Sequence, residues 1–165
     1  TSFNVAELCK LPVSYVIENT RYAMGPAIAR ASAEVNLPRR GVSFNIPGEQ
    51  VDGMDVRAVK AAGDEAVAWC RAGKGPYILE MQTYRYRGHS MSDPAKYRTR
   101  EEVEKVRHDQ DPIEQVRNRL LAAKTSEQEL KAIDAEVRDI VNAAADFAQH
   151  DPEPDASELW TDVYR

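Results

Sequence analysis

From Thr83 to Arg100 the chain reads Thr-Tyr-Arg-Tyr-Arg-Gly-His-Ser-Met-Ser-Asp-Pro-Ala-Lys-Tyr-Arg-Thr-Arg, gathering four arginines, a lysine, an imidazole, two serines and three phenols in one segment. Guanidinium and ammonium groups hold phosphates and carboxylates, hydroxyls donate and accept, and a histidine exchanges protons near neutral pH. No apolar periodicity runs through the segment, so it reads as a loop. The apolar run Tyr77-Ile78-Leu79-Glu80-Met81 precedes it. That places the loop at the end of a strand, where open α/β sheets hold anionic ligands. The competing reading is a solvated charged loop, common on any surface.

A second polar tail follows a second apolar run. Val13-Ser14-Tyr15-Val16-Ile17 is short, β-branched and aromatic enough for a buried parallel strand, and Glu18-Asn19-Thr20-Arg21-Tyr22 comes after it. Asn19 and Thr20 suit turn chemistry or helix capping as well as ligand binding. Between the two runs, apolar residues at Val59, Ala62, Ala66, Val67, Trp69 and Cys70 predict a helix over 56–72, with Asp55 as N-cap and Gly73 just past its end. Strand, helix, strand implies a right-handed crossover in a parallel sheet, which carries both polar tails to one edge. One shared site follows from that geometry.

The remaining elements position this pair. Residues 2–10 read as a helix stopped by Pro12; Gly25-Pro26 marks a turn and a helix start; 37–41 is a plain connection; 42–51 is irregular or weakly extended. After the loop, Thr99 to Glu102 and Ser126 to Glu129 form capping boxes, and Asp111 caps a helix beginning at Pro112. The stripe Leu130, Ile133, Val137, Ile140, Val141, Ala144 and Phe147 reads as core. The expected fold is α/β over 1–98, then a helical extension and acidic tail over 99–165 whose closing Leu159 to Tyr164 packs on a partner.

A formal charge of −5, with arginines clustered locally and no basic face, argues against nucleic acid as a partner. No apolar run approaches a membrane span and no signal peptide is visible. Cys9 and Cys70 lack metal-site spacing and read as buried free thiols of a reducing compartment. His108 and His150 lie among charges and read as solvated.

The string Gly88-His89-Ser90-Met91-Ser92-Asp93-Pro94 resembles the phosphorylation loop of α subunits in the E1 component of 2-oxoacid dehydrogenase complexes. Tyr84-Arg85-Tyr86 and Tyr97-Arg98-Thr99-Arg100-Glu101-Glu102 continue the match. Met91 and Asp93-Pro94 are similar to the pyruvate branch of that family. The resemblance runs the length of the chain but implies only the second half of such a subunit, because the family's Gly-Asp-Gly metal motif does not occur. The chain is therefore expected to be a fragment, inactive alone.

The resemblance implies the carboxyl-terminal half of a parallel-sheet thiamine-diphosphate-binding fold, truncated at its start. It implies thiamine diphosphate and Mg2+ as cofactors, with Asn19, Thr20, Tyr22, Met24, Gly25, Arg85, His89 and Ser90 binding them and His89 also serving catalysis. Thr20 and the main-chain carbonyl of Tyr22 are the implied metal ligands; the family has asparagine where Thr20 stands. Ser90 and Ser92 occupy the positions that kinases modify in mitochondrial members. The implied reaction is oxidative decarboxylation of pyruvate with reductive acetylation of the lipoyl domain of the E2 dihydrolipoyl acetyltransferase. The implied assembly is an α2β2 heterotetramer with E1 β, cytoplasmic in a bacterium and in the mitochondrial matrix of a eukaryote. The alternatives are a branched-chain 2-oxoacid or acetoin dehydrogenase α subunit, and a non-catalytic scaffold fragment that has lost metal binding.

Overall fold

The computed structural model describes residues 1–163. The chain divides into two compact units, Thr1–Val116 and a second beginning at Arg117.

The first unit is built on three parallel strands, β1 (Ser14–Asn19), β2 (Gly48–Asp52) and β3 (Tyr77–Gln82), in the order β1-β3-β2. β3 is central and its side chains are buried from Tyr77 to Met81. Alternation splits them between two faces. Tyr77, Leu79 and Met81 join Val51 against Ala66 and Cys70 of α3 (Val56–Arg71), with Ala58, Val59, Ala62 and Trp69 at the margin. Truncating Leu79 to alanine in this core would cost roughly 2–5 kcal/mol. On the opposite face, Ile78 meets a 3-10 segment, Leu37–Phe44, that passes so close that a Cβ on Gly41 would lie 2.6 Å from Ile78 Cδ1.

α3 begins where Asp55 accepts a hydrogen bond from the Arg57 N–H at 2.9 Å, the expected cap, and ends before Gly73 at φ +70°. It joins β2 to β3, so the crossover starts from β2 and not from the Val13–Ile17 run. β2 was expected as irregular or weakly extended chain; its regular pairing with β3 from Gly48↔Ile78 to Asp52↔Gln82 overrides a local sequence rich in turn formers. The supposed connection at 37–41 likewise belongs to a 3-10 helix, with Pro38 in its first turn. β1 extends two residues further than expected, through Asn19, and alternates exposed and half-buried because its two faces are covered unequally. Its apolar run reads as buried only if the other edge and both faces are covered.

α1 (Ser2–Leu8) buries Ala6 alone, and Cys9 follows its last turn, exposed rather than buried. The helix is too short to carry that thiol onto its inner face. Cys70 is buried as expected. α2 (Ile28–Ala31) is a single turn, starting two residues after Pro26. α4 (Arg100–Gln110) and α5 (Pro112–Ala122) follow the loop, and Asp111 caps α5 by accepting from Ile113 N–H at 2.9 Å and Glu114 N–H at 3.2 Å.

In the second unit α6 (Glu127–His150) opens on a complete capping box between Ser126 and Glu129. Its apolar stripe is not core. Leu130 is buried, but Ile133, Val137, Ile140, Val141 and Phe147 are all at least half exposed. Periodicity records which face is apolar, not what covers it. Leu159, Trp160 and Val163 are also exposed, and Tyr164 lies outside the described residues. Among the described residues no helix is long and apolar enough to cross a membrane.

Candidate functional site

β1 and β3 end side by side, with Asn19 opposite Gln82. The Thr83 N–H donates to the Asn19 carbonyl at 2.9 Å and its hydroxyl to the same oxygen at 3.3 Å, so both polar tails leave the carboxyl edge from neighbouring points. This is the convergence expected from two parallel strands.

The first tail turns at once. Asn19 Oδ1 accepts from the Arg21 N–H at 2.9 Å, a side-chain-closed turn in which Arg21 takes φ +68°. Within it the Thr20 hydroxyl donates to the Tyr22 carbonyl at 3.4 Å. Tyr22 then bridges Ala27, and the Ala23 N–H donates to the Pro26 carbonyl at 3.0 Å, leaving Met24 and Gly25 exposed at the tip. A cleft of about 250 Å³ opens here, lined by Ile17, Asn19, Thr20, Tyr22, Pro26 and Leu37 among others.

The second tail is anchored by phenols. Tyr84 is buried and donates to Glu102 Oε1 at 2.8 Å; Tyr22 donates to the same oxygen at 3.3 Å. The Tyr22 ring lies 5.2 Å from Tyr97 and 6.5 Å from Tyr84, and Tyr86 reaches Asp111 Oδ2 at 3.3 Å. The Arg98 guanidinium sits 5.4 Å from the Tyr84 and Tyr97 rings alike and donates to the Arg85 carbonyl. Burial, then the hydrogen bond to Glu102, pushes the Tyr84 phenol up to about 12, against the opposing charge of Arg98. Tyr22 is raised chiefly by burial and then by the Glu102 charge. These phenols are therefore proton donors at neutral pH.

Beyond that anchor, Asp93 organises the loop tip. Its carboxylate accepts from the His89 N–H at 2.7 Å, the Ala95 N–H at 2.9 Å and the Tyr97 hydroxyl at 2.9 Å. The two backbone bonds hold Asp93 below the usual carboxylate range, His89 contributing most. A Cβ on Gly88 would meet the Asp93 carbonyl at 2.9 Å, which explains glycine at that point. Arg85 Nη1 lies 3.2 Å from His89 Nδ1. Arginine only donates, so Nδ1 accepts and a neutral His89 carries its proton on Nε2. The Ser90 and Ser92 hydroxyls lie 2.9 Å apart and are exposed.

Asn19, Thr20 and Tyr22 thus share one tail with Met24 and Gly25, while Arg85, His89, Ser90 and Ser92 share the other; Tyr22, Tyr84, Tyr97 and Glu102 join the two. Thr99 caps α4 through the Glu102 N–H at 3.1 Å, but the Glu102 side chain serves the tyrosines instead of closing the box. Sequence reasoning missed Glu102 for that reason, since the capping pattern already explained it. It also missed Glu80, although a carboxylate inside an apolar strand is itself a signal.

Among the described residues no three or more His, Cys, Asp or Glu side chains gather in a metal-holding group. The Thr20 hydroxyl and Tyr22 carbonyl oxygens lie 3.4 Å apart at this edge, and oxygen is the donor type that Mg2+ accepts.

A three-stranded parallel sheet that presents cations, an imidazole and hydroxyl and carbonyl oxygens at its carboxyl edge defines an open α/β domain. The chain belongs to the dehydrogenase E1 component family, whose model matches residues 1–157. It is 68% identical over 163 residues, 98% of this chain and 47% of the relative, to the pyruvate dehydrogenase E1 component subunit alpha of Rhizobium meliloti. The same-named subunit of Zymomonas mobilis is 52% identical, across 98% of this chain and 46% of its own length. The somatic, mitochondrial form of Homo sapiens is 49% identical, across 99% of this chain and 42% of its own length. The chain spans about half the length of the curated relatives it matches.

Proposed function

We propose that the chain forms the carboxyl-terminal half of the α subunit of a pyruvate dehydrogenase E1 component. The observation that carries this reading is the Gly88 to Pro94 loop, pinned by Asp93 and Arg98 after β3, whose tail is joined to the Thr20 and Tyr22 tail after β1 through Tyr84, Tyr22 and Glu102. The names borne by the relatives favour pyruvate over the branched-chain and acetoin readings.

Thiamine diphosphate, when bound, supplies the electron sink that lets a 2-oxoacid lose CO2. Thr20 Oγ1 and the Tyr22 carbonyl would hold its Mg2+, with Asn19 fixing the turn between β1 and the metal. Met24 and Gly25 lie on the turn beside the cleft and would line the cofactor. Arg85 supplies positive charge for the diphosphate, and the Ser90 hydroxyl a further hydrogen bond. His89, its Nδ1 engaged by Arg85, would donate from Nε2 during transfer to the lipoyl group. The partners are E1 β in an α2β2 heterotetramer and the lipoyl domain of E2. The compartment is the cytoplasm in a bacterium, or the matrix in a mitochondrial setting.

The test is a substrate panel run on the full α subunit co-expressed with β. With thiamine diphosphate and Mg2+ present, kcat/KM for pyruvate is expected to exceed that for branched-chain 2-oxoacids and acetoin. Preference for either of the others, or no turnover by an assembly that has bound the cofactor, would overturn the reading.

A further inference from the structure

Glu80 stands at the centre of the middle strand with none of its surface exposed. Its two carboxylate oxygens meet three donors: Asn19 Nδ2 at 2.6 Å, the Leu37 N–H at 2.9 Å and Gln50 Nε2 at 3.1 Å. It therefore ties together β1, β2 and the start of the 3-10 segment from a position on β3. A buried carboxylate is costly unless it is fully hydrogen-bonded, and here each of its three partners is a donor that would be left unpaired without it.

From the geometry we infer that Glu80 is a positioning residue for the metal-ligand turn, acting through Asn19. Only a donor can face a carboxylate, so Glu80 fixes which end of the Asn19 amide points inward. The other end, Oδ1, is thereby aimed at the Arg21 N–H, 2.9 Å away. That bond holds Arg21 at φ +68° and so brings the Thr20 hydroxyl and Tyr22 carbonyl within 3.4 Å of each other. Glu80 also fixes Leu37, and both Asn19 and Leu37 line the cleft at this edge. The inference rests on the proposed function, since it assigns the turn to Mg2+ and thiamine diphosphate.

A double-mutant cycle on the full α subunit assembled with β tests this, read as the dissociation constant for thiamine diphosphate at saturating Mg2+ by calorimetry. Glu80→Gln presents one N–H2 group to donors that need an acceptor, and is expected to weaken binding about tenfold or more, the usual effect of losing a ligand-orienting partner. Asn19→Ala is expected to weaken it comparably. If Glu80 acts through Asn19, the Glu80→Gln/Asn19→Ala pair binds no more weakly than the worse single variant, whereas independent structural roles multiply the losses. Gln50→Ala removes a Glu80 partner without touching Asn19 and is expected to bind within about twofold of the parent. Should Glu80→Gln not assemble, Glu80→Asp keeps the charge on an arm too short for Asn19 and is expected to show the same loss. Parent-like binding by the Glu80 variants, or multiplied losses in the pair, overturns the inference alone. A parent assembly that binds no thiamine diphosphate overturns the proposed function and the inference with it.

Discussion

The Tyr84 hydroxyl donates to Glu102 Oε1 at 2.8 Å, tying the first residues of the loop to the first turn of α4. Because Tyr22 uses the same oxygen, one carboxylate holds both polar tails. Glu102→Ala should therefore lower stability by about 2 kcal/mol, from two hydroxyls losing a charged acceptor. Tyr84→Phe should cost about half as much. Chemical denaturation of the assembled protein checks both, and equal values for the two variants would contradict the shared-oxygen arrangement.

The Tyr84 phenol also sets an alkaline limit. Its folded pKa is raised to about 12 from an ordinary 10.0, so its contribution is complete below pH 10 and is lost as pH rises toward 12. Tyrosinate absorbance should show several late-titrating phenols, Tyr22 among them, and the last of these should disappear in Tyr84→Phe.

At the acid end the sign reverses. Asp93 is held below its ordinary value by the His89 and Ala95 N–H groups, so its contribution to loop order is present above the usual carboxylate range and lost as pH falls through the depressed value. Amide exchange at His89 and Ala95, compared with an Asp93→Asn variant, should show protection in the parent that fades below about pH 4. Gly88→Ala should give similarly fast exchange at neutral pH, since its Cβ would strike the Asp93 backbone.

Much of this arrangement was legible in the residues. Asp55, Ser126 and Asp111 cap where their types and spacing require, and the two polar tails meet because parallel strands of one sheet end on one edge. β2 escaped notice because Pro47, Gly48 and Asp52 speak locally for a turn, and only pairing with β3 makes the segment a strand. Cys9 and the α6 stripe misled for a common reason: apolar spacing on a helix says which face avoids water and nothing about what lies over it. Glu80 and Glu102 act through contacts 18 to 80 residues away and Arg98 through aromatic rings, which no local pattern encodes.

Ser90 lies exposed beside Ser92, next to the His89 and Arg85 pair. On the proposed function, a negative charge at Ser90 would compete with the anionic cofactor and substrate for the Arg85 guanidinium. Ser90→Glu should reduce pyruvate turnover by the α/β assembly at least about tenfold with the melting temperature little changed, since surface substitutions seldom alter stability. Parent-like turnover would remove the loop from the account of activity.

The most direct measurement is calorimetric titration of thiamine diphosphate into the full α/β assembly with and without Mg2+, for the parent and for Thr20→Ala. The parent is expected to bind only with Mg2+ present, and Thr20→Ala about tenfold more weakly or worse, because it removes one of two paired oxygen donors. Binding that ignores Mg2+, or that is the same in parent and Thr20→Ala, would contradict the assignment of this sheet edge to the metal-linked cofactor.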